Sequence, residues 1–174
     1  MERARQKAAR LALMGFDVDG VLTDGMLYFS SQGDEMKAFS SLDGHGLKML
    51  QRAGVEVAII SGRSSRALEL RAANLGIDEL HMGVEDKGAL LTRLARQRGI
   101  DLARAGYMGD DVVDLPILRL CGFSATVADG HPEVLSRVDY VASRGGGRGA
   151  VREVCDLIIR AQGKWDAAMA EYLA

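Results

Sequence analysis

The sequence predicts an α/β fold in which helices cover both faces of a central parallel sheet. Short apolar runs alternate with segments of helical periodicity along almost the whole chain, which is the pattern of such a sheet. Polar residues stand directly after several of the apolar runs, as they do where parallel strands end. With 174 residues, of which 48% are hydrophobic, the chain is long enough to form a single domain over residues 1–174.

The apolar runs give the strands, and the helical segments lie between them. Strands are predicted at residues 11–16, 55–60, 79–82, 105–109, 123–128 and 139–142. Helices are predicted at residues 43–53, 64–75, 87–98, 112–120 and 151–162, with a short helix after Pro132. Gly54, Gly76 and Gly99 stop the first three helices. The basic N-terminus is predicted to be a solvated turn or short helix, and the order of the other elements is that of a Rossmann-like three-layer sandwich.

Residues 26–39 interrupt the alternation of strand and helix. The apolar runs MLYF and MKAF flank the segment SSQGDE, which contains a glycine, so this stretch is predicted to form a β-hairpin. Its apolar residues suit a contact between subunits better than exposure to solvent. These residues are Met26, Leu27, Tyr28, Phe29, Met36 and Phe39.

Composition and charge argue against several classes of partner. A net charge of −2 gives no sign of a nucleic-acid surface, so no nucleic-acid partner is predicted. No apolar run approaches the roughly 18 residues of a membrane helix, so no membrane association is predicted. Cys121 and Cys155 lie far apart and lack metal-binding spacing. They are predicted to be reduced, buried thiols of an intracellular protein, which indicates a cytoplasmic location.

The stretch GFDVDGVLTDG places Asp17 and Asp19 directly after the first predicted strand. Ser61 follows the second strand, and Asp110 follows the fourth. Lys87 opens the helix that comes after the third. Because the carboxyl ends of parallel strands meet at one edge of a sheet, these side chains are predicted to converge there.

Such a set of groups suits phosphoryl transfer to a carboxylate. Asp17 would be the nucleophile and would form an aspartyl-phosphate. Asp19 would protonate the leaving alcohol and later activate water. The glycine that follows, Gly20, would let the chain leave strand geometry so that both acids face one phosphorus.

Neighbouring carboxylates repel each other unless a cation holds them, and a hard, oxygen-binding ion such as Mg²⁺ fits this need. The predicted metal ligands are Asp17, Asp19 and Asp110. The predicted phosphate-binding residues are Ser61, Gly62 and Lys87. Each motif also has a simpler explanation, such as a turn, a helix N-cap or a solvated surface lysine. Those explanations would have to hold independently at several strand ends.

Four motifs in this chain resemble, in order, those of the haloacid dehalogenase-like phosphatases: DVDGVLTDG, IISGR, DKGALL and GDDVVDLP. Three further segments, LDGHGLKML, ADGHPEV and GGRGAVREVCDLII, resemble the 3-deoxy-D-manno-octulosonate 8-phosphate phosphatases. Together the matches run from Leu11 to about Gly163. The resemblance implies Mg²⁺-dependent hydrolysis of an eight-carbon acid-sugar phosphate in lipopolysaccharide biosynthesis.

The resemblance also implies roles for individual residues. Asp17 matches the nucleophile and metal ligand, and Asp19 matches the acid/base, whose backbone carbonyl would also contact the metal. Asp110 matches the remaining metal ligand, and Asp111 and Asp114 would support it. Ser61 and Lys87 match the phosphate-binding positions.

Lid domains of larger relatives have no room in this chain, because the first gap between motifs holds only the predicted hairpin. The chain is therefore predicted to be capless, and a large substrate or a neighbouring subunit would have to exclude water from the site. The resemblance implies a homotetramer in which hairpins assemble and the glycine-rich segment 144–149 approaches an adjacent active site. The alternative is that this segment is a flexible connection to the helix after it.

Arginine binds carboxylates with two parallel hydrogen bonds, so Arg63 and Arg148 are the candidates for binding the substrate carboxylate. Arg63 is the first candidate, and the sequence does not decide between the two. Three other functions stay open: a phosphatase for another acid sugar such as a nonulosonate 9-phosphate, a non-catalytic phosphate-binding module, and a signalling receiver domain. The order of the acidic clusters and the lysine disfavours the receiver, and the four intact motifs disfavour the non-catalytic module.

Overall fold

The computed structural model describes residues 1–173 and contains eight strands in two sheets. In chain order they are β1 (Leu13–Phe16), β2 (Tyr28–Phe29), β3 (Glu35–Met36), β4 (Glu56–Ile60), β5 (Glu79–His81), β6 (Ala105–Met108), β7 (Phe123–Thr126) and β8 (Tyr140–Val141). Six of them form one sheet in the order β5-β4-β1-β6-β7-β8, with every neighbouring pair parallel. All six predicted strands of the parallel sheet are confirmed, and each is shorter than predicted.

Helices cover both faces of this sheet. They are α1 (Glu2–Ala8), α2 (Ser41–Arg52), α3 (Arg66–Leu75), α4 (Lys87–Gln97), α5 (Leu115–Leu120), α6 (Pro132–Leu135), α7 (Ala150–Ala161) and α8 (Trp165–Leu173). Apolar residues of α1, α2, α3 and α7 pack in one core cluster, and those of α4 and α5 pack in a second cluster on the opposite face. The predicted three-layer sandwich is therefore confirmed.

The central strand β1 shows why both faces need a cover. Met14 and Phe16 are buried in the first cluster, and Leu13 is buried in the second, because side chains alternate along a strand. Gly15 faces the ring of Tyr107, and a Cβ there would lie 2.8 Å from ring atom Cδ2. The run LMGF is therefore apolar on both sides and carries a glycine where the neighbouring strand supplies a tyrosine.

The predicted hairpin is confirmed by the antiparallel pairing of β2 with β3. In the single chain, the apolar side chains of Met26, Phe29 and Met36 are exposed, with exposed fractions of 61%, 60% and 64%. Phe39 differs, because it packs against the first core cluster of its own chain. The chain has already turned towards α2 at this position, so Phe39 is partly covered by its own chain, and its part in a subunit contact stays a prediction.

The segment predicted as one helix at residues 112–120 divides into two. A 3₁₀ turn, Val112–Asp114, precedes α5. Asp111 caps the turn by accepting a hydrogen bond from the backbone N–H of Val112 at 2.7 Å. Pro116 lies in the first turn of α5, where its missing N–H costs nothing.

Both ends of the described chain are helical. The N-terminal segment is a short helix, as one of the two predictions stated, but it is not merely solvated, because Ala4 and Ala8 are buried. At the other end, the guanidinium carbon of Arg160 lies 3.5 Å from the ring centroid of Trp165 at the start of α8. None of the helices within residues 1–173 has the length and apolarity needed to cross a membrane.

Asp43 ties the beginning of α2 to the beginning of α7. Its buried carboxylate accepts hydrogen bonds from the backbone N–H of Gly149 at 3.1 Å and of Arg152 at 2.8 Å. These N–H groups lie at a helix N-terminus, where they lack helical partners. The contact fixes the position of the glycine-rich segment that leads into α7.

Candidate active site

The register of the sheet brings the predicted site residues to one edge. Phe16 at the end of β1 lies opposite Ile59 of β4 and Met108 of β6. The backbone N–H of Asp17 donates to the carbonyl of Met108 at 2.9 Å, which continues the pairing by one residue. Ser61 directly follows β4. The side chains after these three strands therefore share one edge, as the sequence predicted.

Three carboxylates meet at this edge. One oxygen each from Asp17, Asp110 and Asp114 lie within 4.8 Å of one another. Asp114 is fully buried, and its Oδ2 accepts from the backbone N–H groups of Asp110 at 3.1 Å and Asp111 at 3.4 Å. Oδ1 of Asp110 is buried and has no hydrogen-bond partner within residues 1–173. A buried oxygen without a partner is costly, so this atom marks a place for a ligand.

Lys87 joins two of these carboxylates. Its Nζ lies 2.9 Å from Oδ2 of Asp17 and 2.7 Å from Oδ1 of Asp114. Only 8% of the residue is exposed, because it opens α4 directly under the edge of the sheet. The explanation of Lys87 as a solvated surface lysine is therefore wrong.

The acidic cluster holds more negative charge than Lys87 balances. Burial and the charge of Asp114 raise the pKa of Asp17 to about 7, although Lys87 lowers it. Burial and the charges of Asp114 and Asp111 raise the pKa of Asp110 to about 7 as well. Carboxylates in such a state need further positive charge to ionise together near neutral pH. A hard divalent cation such as Mg²⁺, which prefers oxygen ligands, fits this donor set.

Gly20 makes room for the cluster. Its φ of +87° lies in the left-handed region, and a Cβ on it would lie 2.1 Å from Oδ2 of Asp110. The hydroxyl of Thr23 accepts from the N–H of Gly20 at 3.3 Å and from that of Gly25 at 3.2 Å. The turn after β1 is thus fixed by a buried threonine and needs glycine where Asp110 approaches.

Asp19 points to a different set of charges. Its Oδ1 contacts Nζ of Lys37, and its Oδ2 lies 3.7 Å from Nε of Arg63. Its side chain is not among the three that cluster within the described residues. The two acids of the motif therefore have different lysine partners. Asp17 pairs with Lys87 of α4, and Asp19 pairs with Lys37 of the hairpin.

The loop after β4 holds the predicted phosphate-binding residues Ser61 and Gly62. Ser61 is buried, and its hydroxyl accepts from the backbone N–H of Arg63 at 3.1 Å. The guanidinium of Arg63 reaches Glu35 of β3, with Nη2 3.1 Å from Oε1. Arg63, predicted to bind a substrate carboxylate, thus contacts two carboxylates of its own chain.

The glycine-rich segment packs on the turn after β1 of its own chain. A Cβ on Gly146 would lie 1.9 Å from the carbonyl oxygen of Gly20, and Gly147 donates to the carbonyl of Val21 at 2.9 Å. The segment is therefore packed on its own chain rather than a loose connection, and its approach to an adjacent active site stays a prediction. Arg148, the second predicted substrate-binding arginine, belongs to this segment and is exposed.

Sequence reasoning missed the two charged residues of the hairpin that reach the site, Glu35 and Lys37. They stand two residues apart, so their side chains leave the strand on the same side. That spacing was visible in the sequence, but nothing in it identified Asp19 as the partner.

This fold, with an Asp-x-Asp motif after β1, a lysine at the start of α4 and an acidic cluster after β6, defines a hydrolase of the haloacid dehalogenase-like class. Residues 79–149 match a family described as haloacid dehalogenase-like hydrolases. The chain is also 45% identical over 162 residues to the 3-deoxy-D-manno-octulosonate 8-phosphate phosphatase KdsC of Escherichia coli strain K12. That match covers 93% of this chain and 86% of the relative.

Solved structures agree with this relationship. The 3-deoxy-D-manno-octulosonate 8-phosphate phosphatase of Moraxella catarrhalis, in complex with magnesium, phosphate and KDO, is 42% identical with a TM-score of 0.96 over 99% of both chains. The cobalt-bound phosphatase of Haemophilus influenzae is 43% identical with a TM-score of 0.89, covering 92% of this chain and 94% of that one. The chain belongs to the 3-deoxy-D-manno-octulosonate 8-phosphate phosphatase family.

Proposed function

We propose that this chain hydrolyses 3-deoxy-D-manno-octulosonate 8-phosphate to the free sugar acid and phosphate, with Mg²⁺ as cofactor, in lipopolysaccharide biosynthesis. The observation that carries the proposal is the bridge of Lys87 between Asp17 and Asp114, beside the partnerless oxygen of Asp110. It supports the proposal because a carboxylate that can act as nucleophile, a cation and an acidic cluster lie together at one edge of the sheet. The names of the relatives supply the substrate.

Asp17 is the proposed nucleophile. One of its oxygens attacks phosphorus, the ester P–O bond breaks, and an aspartyl-phosphate forms. Lys87 holds Oδ2 of Asp17 at 2.9 Å, so the carboxylate has one fixed orientation. Its ammonium also offsets negative charge on the phosphoryl oxygens, and the buried hydroxyl of Ser61 with the neighbouring N–H of Gly62 would bind those oxygens.

Asp19 is the proposed acid/base. It gives a proton to the leaving alcohol oxygen as the ester bond breaks. It then takes a proton from water as that water attacks phosphorus, the bond to Asp17 breaks, and inorganic phosphate leaves. Both steps use the same carboxyl group, which returns to its first state at the end.

The proposed metal ligands are the side chains of Asp17 and Asp110 and the backbone carbonyl of Asp19, supported by Asp111 and Asp114. When bound, Mg²⁺ neutralises charge on the phosphoryl group and makes phosphorus more electrophilic. Asp114 supports the site by holding the backbone of Asp110 and Asp111, which sets where the carboxylate of Asp110 stands.

We further propose a cytoplasmic homotetramer. The exposed apolar side chains of the hairpin, Met26, Phe29 and Met36 among them, support an assembly between hairpins. The two free thiols, Cys121 and Cys155, are buried in separate core clusters, as suits a reducing compartment. The proposed contacts for the substrate carboxylate are Arg63 and Arg148, which is exposed within the glycine-rich segment.

Phosphate release from a panel of sugar phosphates tests the proposal. The panel includes the eight-carbon substrate, a nine-carbon nonulosonate 9-phosphate and a neutral hexose phosphate, each with Mg²⁺ and with a chelator. We expect the highest kcat/KM for the eight-carbon acid sugar, activity that the chelator abolishes, and no activity in Asp17→Asn. A preference for the nine-carbon compound would contradict the proposed substrate, and chelator-resistant turnover would contradict the proposed mechanism.

A further inference from the structure

Lys37 brings the hairpin into direct contact with the proposed acid/base. It follows β3 by one residue, and its ammonium group contacts Oδ1 of Asp19. The same ammonium lies 3.1 Å from Oε1 of Glu35. Glu35 in turn accepts from Nη2 of Arg63 at 3.1 Å, and Nε of Arg63 lies 3.7 Å from Oδ2 of Asp19. The four side chains form a ring of alternating charges that includes both oxygens of Asp19.

Three members of this charge ring are largely shielded from water, whereas the side chain of Arg63 is 45% exposed. The exposed fraction is 2% for the side chain of Lys37, 15% for Glu35 and 22% for Asp19. Removing an ammonium group from water costs free energy unless carboxylates compensate for the lost hydration. An exposed ion pair, in contrast, contributes little to stability. Lys37 is compensated on two sides, and without it Asp19 and Glu35 would share Arg63 as their remaining cation within the described residues.

The two cations hold Asp19 unequally. Lys37 is in contact with Oδ1, whereas the 3.7 Å separation of Arg63 from Oδ2 is longer than a hydrogen bond. Although burial opposes it, the hydrogen bonds from Lys37 and Arg63 lower the pKa of Glu35 below its usual value. Glu35 is therefore ionised near neutral pH and anchors Lys37 from the side opposite Asp19.

We propose that Lys37 is a positioning residue of the phosphatase reaction: its ammonium group fixes the carboxyl group of Asp19 in the orientation that proton transfer needs. The inference rests on the proposed function, in which Asp19 protonates the leaving oxygen and later activates water. It gives the hairpin a second task, carried out within its own chain. A displacement of about 1 Å in a reacting group can slow a reaction about 100-fold, so a residue that only orients Asp19 has a measurable effect.

Two substrates that differ in their need for an acid test the proposal. The alcohol of a sugar phosphate must be protonated as it leaves, whereas 4-nitrophenolate is a stable anion that leaves without a proton. We expect Lys37→Met to slow the single-turnover consumption of 3-deoxy-D-manno-octulosonate 8-phosphate about 100-fold, and that of 4-nitrophenyl phosphate less than about fivefold. Lys37→Arg keeps a cation at this place. On the sugar phosphate it should therefore react about tenfold faster than Lys37→Met.

A matched control and a second variant keep the result unambiguous. Lys48→Met removes a lysine from α2, away from the charge ring, and should leave both rates unchanged. If Lys37→Met fails to fold, as judged by its thermal melt, Lys37→Gln replaces it with the same expected difference between substrates. Equal slowing of both substrates would show a role in hairpin structure alone, and unchanged rates would show that Asp19 does not need Lys37. Either result overturns the proposal, whereas a wild-type chain inactive on both substrates contradicts the proposed function instead.

Discussion

Gly20 and Asp110 approach so closely that a Cβ atom on Gly20 would stand 2.1 Å from Oδ2 of Asp110. The contact joins the turn after β1, which carries Asp17, to the loop after β6. These two loops are far apart in sequence, and they supply the two proposed side-chain ligands of the metal. The geometry of the acidic cluster therefore depends on the absence of a Cβ at Gly20 as much as on the carboxylates themselves.

We predict that Gly20→Ala lowers kcat at least about 100-fold by displacing Asp110. The φ of +87° adds about 1–2 kcal/mol of backbone strain, because an L-residue with a Cβ is disfavoured there. Gly99→Ala is the matched control, since Gly99 also has a positive φ, of +65°, but faces open space. Steady-state kinetics and thermal melts of both variants separate strain from displacement. Full activity in Gly20→Ala would show that Asp110 is not held as described.

Binding of Mg²⁺ should stabilise the folded chain, because the cation relieves repulsion among the three clustered carboxylates. At a Mg²⁺ concentration about 100 times Kd, the free energy of unfolding should rise by about 2.7 kcal/mol, which corresponds to an increase in Tm of about 5–10 °C. In Asp110→Asn the increase should be lost or strongly reduced, because one proposed ligand is gone. Differential scanning calorimetry with and without Mg²⁺ measures both. An equal increase in the variant would place the ion elsewhere.

Asp43 should matter for stability through the N-terminus of α7. Asp43→Ala leaves the N–H groups of Gly149 and Arg152 without an acceptor, and we expect it to lower the free energy of unfolding by about 1–3 kcal/mol. Burial raises the pKa of Asp43 above its usual value, although its hydrogen bonds oppose this shift. Burial therefore disfavours the ionised form of Asp43. Asp43→Asn keeps an acceptor oxygen, so it should lower the free energy of unfolding less than Asp43→Ala. Urea unfolding of the two variants tests this order.

The pair of Lys7 and Asp139 predicts a pH-dependent contribution to stability. Burial opposes it, but the hydrogen bonds from Lys7 and from Ser124 lower the pKa of Asp139 below its usual 3.8. A lowered carboxyl pKa stabilises the fold at pH values above the unfolded pKa, and this contribution is lost as pH falls through the folded pKa.

We therefore expect Asp139→Asn to cost about 1–3 kcal/mol at pH 7 and progressively less as pH falls below about 4. Denaturant unfolding of wild type and variant across this range measures the difference. Asp78→Asn, which changes an exposed carboxylate before β5, serves as control and should show little cost at either pH. A cost for Asp139→Asn that does not change with pH would contradict the assignment.

The sequence predicted the sheet and the edge at which the candidate site lies, because periodicity and chain order carry that information directly. Apolar runs such as the one ending at Phe16 must be buried, and residues after parallel strands must share an edge. Asp17, Ser61 and Asp110 follow from these two rules alone. Lys87 was also placed correctly, as the first residue of a helix after a short strand.

Contacts between distant charged side chains could not be predicted in the same way. Lys37 and Asp19 pair through a hairpin whose angle to the sheet depends on packing, and no local pattern encodes that angle. The contact between Gly146 and Gly20 could not be predicted either, because a glycine-rich sequence is compatible with a loose connection as well as with a tight backbone contact. Phe39 shows the limit of composition, because one apolar residue of the hairpin belongs to the core and its neighbours do not.

The central claim is that Asp17 attacks phosphorus and carries the phosphoryl group. Borohydride reduces an acyl phosphate to an alcohol, so quenching the enzyme with borohydride during turnover of the sugar phosphate should convert the phosphorylated aspartate to homoserine. Peptide mass spectrometry then identifies the modified position. The account predicts homoserine at Asp17 in the wild type and none in a sample without substrate. Modification at Asp110 or Asp19, or full turnover with no reducible intermediate at any aspartate, would contradict it.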